Sequence, residues 1–322
     1  MKISVVVPTF ERQAQLAACL DSLARQDAAA CAEVVVVDDG SRDGTREWLD
    51  AQRNAAWPFP LRVVHERHRG PAAARNAGVL AASGDVVLFT GDDCVAAPGL
   101  LAAHLRAHAS VHNGSVLGHT TWLPSLTVTP FMHYQENGGS QFAYARIADR
   151  GDAGWRFYYT TNVSSPRDLL LAMPFDERFP AARYEDLELG WRLARTGHRI
   201  AYVPEALAWH DHPIAFETFR ARSFEYGAYA AMFHELHPES EELAVALGIR
   251  DAEQADRVLG AALAGAEDVV RALEPAVAQA PADAFAVRGA RALLHDAYRL
   301  LVHHALVRGI RKALSLPEPA VV

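Results

Sequence analysis

The sequence predicts an α/β protein in which a mostly parallel, doubly wound, Rossmann-like sheet precedes an α-helical appendage. Three observations carry that prediction. Short apolar, β-branched runs recur through the first 95 residues, stretches of helical spacing lie between them, and beyond about residue 215 strands give way to Ala- and Leu-rich sequence.

The strand runs are Ile3 to Val7, Val34 to Val37, Arg62 to Val64 and Val86 to Phe89, the pattern of strands buried on both faces. Gln13 to Ala24 carries Leu16, Cys19, Leu20 and Leu23 at helical spacing. Helices are also expected over Thr45 to Gln52, after an Asp-Gly turn, and over Pro71 to Ala82, opened by Gly-Pro. The β-α-β-α-β-α-β order puts ligands at the carboxyl ends of the strands. Those ends read Pro8-Thr9-Phe10-Glu11-Arg12, Asp38-Asp39-Gly40-Ser41 and Gly91-Asp92-Asp93-Cys94, so acidic groups gather at one edge. A helix is expected over Pro98 to His108, and Val111 to Asp152 fits no regular period. Arg156 to Val163 reads as a strand, Glu185 to Arg195 as a helix closed by Gly197, and Ile200 to Val203 as a further strand. From Phe216 to Leu316 several helices follow, with breaks expected near Pro238, Gly248, Pro275 and Pro281.

Half of the 322 residues are hydrophobic and 22% charged, a globular composition. Lys and Arg number 31 against 39 Asp and Glu, a net charge of −8 that disfavours nucleic acid as a partner. Cys19, Cys31 and Cys94 form no C-x-x-C pair, so a reducing, cytoplasmic setting is expected and a cysteine zinc site is not. No apolar run reaches the ~18 residues of a membrane span, and the amino end opens directly into a strand pattern, so neither a span nor a secretion signal is expected.

Asp92 and Asp93 offer hard oxygen ligands of the kind Mg²⁺ and Mn²⁺ take together with substrate phosphates. Around them the chain resembles the family 2 glycosyltransferases with the GT-A fold. The resemblance rests on Val5-Val6-Val7-Pro8-Thr9-Phe10-Glu11-Arg12, with Glu11 where the family has Asn, and on Val35 to Thr45 around Asp38-Asp39-Gly40-Ser41. It continues through Arg69-Gly70-Pro71-Ala72-Ala73-Ala74-Arg75-Asn76-Ala77-Gly78 and Gly84-Asp85, and covers roughly residues 1 to 213. It implies a domain over 1–215, with a nucleotide-sugar-binding half at 1–97 and an acceptor and catalytic half at 98–215, and a helical region over 216–322. Thr9, Glu11, Asp39, Arg75 and Asp92 would hold the donor, a nucleoside diphosphate sugar with UDP-sugars favoured. Asp93, with His210 after the last strand, would bind Mn²⁺ or Mg²⁺. The family's metal motif is Asp-x-Asp, and Gly91 stands at its first Asp.

Tyr184-Glu185-Asp186-Leu187 resembles the family's Glu-Asp segment and assigns the general base of an inverting transfer to Asp186. A carboxylate in the first turn of a helix is favoured in its ionised form by the dipole, which limits its basicity. Glu185 and Asn162 are placed on the acceptor side, the acceptor being a saccharide or glycoconjugate. Trp122, Tyr134, Tyr144, Trp155, Tyr158 and Tyr159 suit stacking on sugar faces and equally suit a plain core.

Six basic residues against one acid lie between Ala286 and Lys312. The helix there is expected to pack its first part and project a basic end past Gly309, suited to peripheral contact with anionic lipid or a partner, a second copy of the chain included. Two rival readings are a degenerate sugar-nucleotide-binding or scaffold protein, motivated by Gly91, and a sugar-1-phosphate nucleotidyltransferase. The latter's glycine- and arginine-rich loop after the first strand is missing.

Overall fold

A computed structural model describes residues 1–26, 32–111, 113–139, 141–280 and 285–316. Cys31 and the break expected at Pro281 lie outside the described residues. The described chain divides into two compact units, one of residues 1–126 and 146–212, the other of 127–145 and 213–322. The sequence-based boundary at 215 falls beside the break at 212/213. Segment 127–145, placed by the sequence in the first region, groups with the later helices.

In the first unit, β1 (Ile3–Thr9), β2 (Ala32–Asp38), β3 (Leu61–His65) and β4 (Val86–Thr90) alternate with α1 (Gln13–Ala24), α2 (Thr45–Gln52) and α3 (Pro71–Ala81). Then come β5 (Cys94–Ala96), α4 (Leu100–His108), β6 (Gly114–Trp122), β7 (Asn162–Pro166), α6 (Arg167–Ala172), α7 (Glu185–Ala194) and β8 (Arg199–His210), while α5 (Pro130–Asn137) belongs to the second unit. The sheet order is β3-β2-β1-β4-β7-β6-β8-β5. The pairs among β3, β2, β1 and β4, and the β6–β8 pair, are parallel; β7 runs antiparallel to both its neighbours and β5 to β8. Val5, Val7, Val34, Val36 and Leu88 share one cluster with Leu16, Leu20 and Leu49 of α1 and α2. Val6, Val35 and Val37, equally buried, face the other way, toward α3.

Three local expectations are corrected. The strand expected over Arg156 to Val163 is a 3₁₀ turn at Trp155–Phe157, and the strand begins only at Asn162. There the fully buried Tyr158 anchors a turn, its hydroxyl 2.7 Å from Ser165 Oγ, so aromatic burial imitates a strand's apolar pattern. The unassigned stretch contains β6, unrecognised because Ser115, His119, Thr120 and Thr121 interrupt its apolar pattern; buried Ser115 is hydrogen-bonded to Ser165 and His198. β8 extends past the expected Val203 because the register jumps from Gly118↔Val203 to His119↔Leu207, which loops Pro204 out of a ladder where it cannot donate. Gly197 has φ +76°, the left-handed conformation expected after α7.

The second unit holds α5 with α8 (Phe216–Leu236), α9 (Glu241–Ala246), α10 (Ala252–Gly260), α11 (Leu263–Gln279) and α12 (Phe285–Ala313). α11 runs through Pro275, where a break was expected; Val270 and Val277 are buried and Tyr298 of α12 donates to Glu274 at 2.6 Å, interactions that offset the ~3 kcal/mol an interior proline costs. α12 likewise continues past Gly309. Its end does not project: Arg311 is 3% exposed and pairs with buried Asp256 at 2.7 Å. Among the described residues no helix is long and apolar enough to cross a membrane.

Candidate active site

Parallel pairing brings the ends of β1, β2 and β4 to one edge of the sheet, and β8 ends at the same edge because β7 runs antiparallel to both β4 and β6. Thr9 closes β1 and donates from Oγ1 to Asp92 Oδ2 at 2.8 Å. The chain then turns through Glu11, whose φ of +53° is left-handed and whose N–H donates to Ser41 Oγ. Asn adopts that conformation far more readily than Glu, so Glu11 is the less favoured residue in this turn. The Glu11 side chain is exposed, and beside it Phe10 stacks on His68 with ring centroids 4.2 Å apart.

Asp39, just past β2, accepts the Arg69 N–H on Oδ1 at 2.8 Å and the Gly70 N–H on Oδ2 at 2.9 Å. This carboxylate thus fixes the loop that starts α3. Further along α3, Asn76 holds Phe175 at both its N–H and its carbonyl, so this segment joins the two halves of the first unit.

After β4 the turn Gly91-Asp92-Asp93 carries the acidic pair. Arg12 Nη1 lies 2.6 Å from Asp93 Oδ2 and 3.3 Å from Asp92 Oδ1, and His210 Nε2 lies 3.6 Å from Asp93 Oδ1. Burial and the neighbouring Asp93 charge push the Asp92 carboxyl up to about 6. Burial would raise Asp93 as well, but the charges of His210, Arg12 and His212 outweigh it and hold it below the usual carboxylate range. Burial shifts His210 toward its neutral form, against the Asp93 charge, which favours the cation. Neutral imidazole is also the metal-ligating form.

A Cβ at Gly91 would stand 2.6 Å from Asp93 Oδ1. The Asp93 carboxylate therefore occupies the space that a side chain at the family's first Asp would need. Among the described residues no group of three or more His, Cys, Asp or Glu side chains is gathered for an ion. Asp93 and His210 offer two donors of the carboxylate and imidazole types, a partial set that fits a divalent ion completed by phosphate oxygens and water. Cys94 and Cys19 lie beside this turn as buried free thiols, and burial raises both well above their usual range.

Glu185 and Asp186 open α7, and the preceding Tyr184 is left-handed at φ +68°. Glu185 is 2% exposed and its Oε1 accepts from Arg75 Nη1 at 2.7 Å. Arg75, expected on the nucleotide, is thus committed to Glu185. Asp186 Oδ1 accepts the Leu187 N–H at 2.8 Å. Burial first, and the Glu185 charge second, push the Asp186 carboxyl up to about 7, against Arg75 and the backbone hydrogen bonds. Its environment overrides the helix dipole, and Asp186 is a stronger base than the sequence alone implied.

Residues 4–162 match the family model described as Glycosyl transferase family 2. They form a family 2 glycosyltransferase domain. Over 259 residues the chain is 29% identical to the uncharacterized glycosyltransferase YfnE of Bacillus subtilis, covering 66% of each protein. It is 33% identical over 221 residues to the validoxylamine A glucosyltransferase of Streptomyces hygroscopicus subsp. limoneus, covering 61% of this chain and 48% of that protein. The chain thus spans between about half and two thirds of the length of these relatives. Among solved structures, the mannosyltransferase PcManGT of Pyrobaculum calidifontis, in complex with GDP-Man and Mn²⁺, superposes with a TM-score of 0.63 at 20% identity over 97% of this chain and 87% of that one. Residues 1–349 of S. aureus TarS, in complex with UDP-GlcNAc, give 0.52 at 21% identity over 94% and 91%. The fold is GT-A.

Within the first unit, the edge assembles Thr9, Asp92, Asp93 and His210, while Arg75, Glu185 and Asp186 form a second group. Asn162 differs from its expected acceptor-facing role. It is 1% exposed, its Oδ1 meets His104 Nε2 at 2.9 Å and its Nδ2 donates to the carbonyls of His119 and Ala206, so it braces β7, β6 and β8. Trp122 and Tyr158 are likewise buried. Arg12 and Phe10 stand in the same strand-end motif as Thr9, and that place is the sequence signal for the contacts they make here.

Proposed function

We propose that the chain is an inverting glycosyltransferase that moves a sugar from a nucleoside diphosphate to an acceptor hydroxyl. The observation that carries the reading is Asp186, a half-buried carboxylate at the start of α7 whose proton affinity is raised toward neutrality. A base poised near working pH is what hydroxyl activation requires. In this reading Asp186 takes the acceptor proton while the hydroxyl oxygen bonds to the anomeric carbon. The bond from that carbon to the diphosphate breaks on the opposite face, and its electron pair leaves with the phosphate.

Thr9, Glu11, Asp39 and Asp92 form the donor side. The Asp39 oxygens keep further lone pairs for ribose or base donors after accepting the two backbone N–H groups. Asp93 and His210 would hold Mn²⁺ or Mg²⁺, which would neutralise charge on the departing diphosphate. The Mn²⁺ of the PcManGT complex supports the metal, and the UDP-GlcNAc of the TarS complex makes UDP-sugars the first donors to try. The buried free thiols of Cys19 and Cys94 suit a cytoplasmic setting.

A panel of UDP-, GDP- and TDP-sugars, assayed for thermal stabilisation and for hydrolysis with Mn²⁺ or with EDTA, tests the reading. We expect one donor to stabilise the protein in the presence of the ion and to be turned over. No stabilisation by any nucleotide sugar or nucleoside diphosphate would refute it. For the accepted donor, NMR of the first-formed anomer reads the stereochemistry, and retention would refute inversion.

A further inference from the structure

Arg75 and Glu185 lie 110 residues apart in sequence and are both buried, with 8% and 2% of their surfaces exposed. One strong contact joins them, Nη1 to Oε1 at 2.7 Å. The rest of each group is poorly served. Arg75 Nε and Glu185 Oε2 are buried with no hydrogen-bond partner among the described residues, and the guanidinium carbon stands 5.6 Å from the centre of the Phe175 ring. A buried ion pair with unsatisfied ends contributes little net stability, because desolvation offsets its attraction. Stability therefore does not account for it. What distinguishes the pair is its place: Glu185 immediately precedes Asp186 in the first turn of α7.

We propose that Arg75 and Glu185 are positioning residues for Asp186, the Glu185 charge opposing ionisation of Asp186 and Arg75 limiting that opposition, so that together they set the pH at which Asp186 becomes a base. The proposal rests on the reading of Asp186 as the acceptor-side base, and it removes Arg75 from the donor-holding set. The other groups facing Asp186 do not supply this control. Tyr158 and Tyr159 bear on it electrostatically, but burial raises both phenols well above their usual range and keeps them neutral. Arg146 acts on Tyr159, and Glu188, one turn along α7, is engaged by Arg192 at 2.7 Å. The N–H of Leu187 and the backbone at Thr160 hydrogen-bond the Asp186 carboxylate, a fixed contribution that no side-chain change removes.

The two halves of the pair predict opposite shifts. Glu185→Gln is nearly isosteric, removes the repelling charge and leaves Arg75 acting on Asp186, so the Asp186 midpoint should fall. Arg75→Gln removes the attraction and should raise it, while Arg75→Lys keeps the charge and should restore it. Each of the first two shifts should reach at least about one pH unit, the scale of a nearby charge in a desolvated site.

The measurement is carboxyl NMR of the full chain labelled with [¹³Cγ]aspartate, with the Asp186 resonance identified by its loss in Asp186→Asn. Calorimetry with UDP and Mn²⁺ on the same variants reads nucleotide binding separately. Opposite midpoint shifts with rescue by Lys support the proposal. Unchanged midpoints, or shifts in one direction for both variants, overturn it. Loss of UDP binding in Arg75→Gln with an unmoved Asp186 midpoint also overturns it and returns Arg75 to the nucleotide. Should Arg75→Gln fail to fold, Glu185→Gln and Arg75→Lys still decide. Normal sugar transfer by Asp186→Asn would sink the base assignment alone, leaving the electrostatic control by the pair to stand on its NMR shifts.

Discussion

Arg12 holds Asp93 through one short contact, Nη1 to Oδ2 at 2.6 Å, and the same Nη1 reaches Asp92 Oδ1 at 3.3 Å. A divalent ion held by Asp93, as proposed above, would compete with the Arg12 charge for that carboxylate. Unit charges about 4 Å apart interact by ~1–4 kcal/mol at dielectric constants between those of water and a protein surface. Arg12→Gln is therefore expected to tighten Mn²⁺ binding about tenfold in the absence of nucleotide. Electron paramagnetic resonance of free Mn²⁺ measures it, and equal or weaker binding would show that Arg12 does not compete.

Gly91 leads to the second prediction. Since a Cβ would lie 2.6 Å from Asp93 Oδ1, Gly91→Ala must displace that oxygen, which lies 3.6 Å from His210 Nε2. Mn²⁺ affinity should fall by roughly tenfold, the lower end of what disturbing a metal ligand's support costs. Unaltered affinity in a normally folded variant would mean that Asp93 does not bind the ion from its present rotamer.

The third prediction concerns rate. With its carboxyl raised to about 7, Asp186 is protonated in mild acid and cannot accept a proton there. Transfer should rise with pH through the neutral range, and Asp186→Asn should lose at least ~10²-fold at pH 8. A flat profile between pH 5 and 8, measured with saturating donor and acceptor, would exclude Asp186 as the titrating base.

Stability should carry the same signature with a definite sign. The folded state holds the Asp186 proton more tightly than the unfolded chain, whose carboxyl titrates near the ordinary value of about 4. Asp186 therefore costs the folded state nothing below about pH 4 and an increasing amount as pH rises from there to about 7. Asp186→Asn should melt a few degrees higher than the wild-type chain at pH 8, with the difference shrinking toward pH 5. A melting difference that grows toward acid would contradict the raised proton affinity.

A fifth prediction tests the helical unit. Gly227 of α8 and Gly309 of α12 let two backbones cross so closely that a Cβ on Gly309 would run into the Phe224 carbonyl, a backbone atom that cannot step aside. Gly309→Ala should destabilise this unit by about 3 kcal/mol, the upper range for overpacking. Chemical denaturation of the full chain, followed by helical circular dichroism, would expose the error if the variant unfolded at the wild-type midpoint.

The legible parts of the sequence were those in which local pattern and global fold agree. The valine runs of β1 and β2 read as buried strands, and the chain just at or past the ends of β1, β2 and β4 carries Thr9, Asp39 and Asp93 to one edge. β6 was hidden because its burial relies on hydroxyl pairs such as Ser115 with Ser165, which have no apolar period. Asn162 was misjudged because an amide bracing three strands is indistinguishable in sequence from one facing a sugar. The Glu-Asp pair that opens α7 is plain in the sequence, but the raised proton affinity of Asp186 is not, since that depends on burial and on the charges of its neighbours, one of them an arginine more than a hundred residues upstream.

The second unit draws α5 from the middle of the chain, and this has a consequence during synthesis. Phe131, Met132 and Tyr134 are at most 3% exposed in the finished protein, and Phe131 packs on Phe216, Phe219 and Tyr298. At roughly 5–20 residues per second, a ribosome needs on the order of ten seconds or more after making α5 to deliver α12. The first unit has all its sequence by residue 212, whereas the aromatic side of α5 waits for Phe216 and Phe219 of α8 and is not completed until Tyr298 of α12 emerges. Chains stalled or cut between α8 and α12 should accordingly be the ones that aggregate, and shielding α5 in that interval is where a chaperone would most raise the yield.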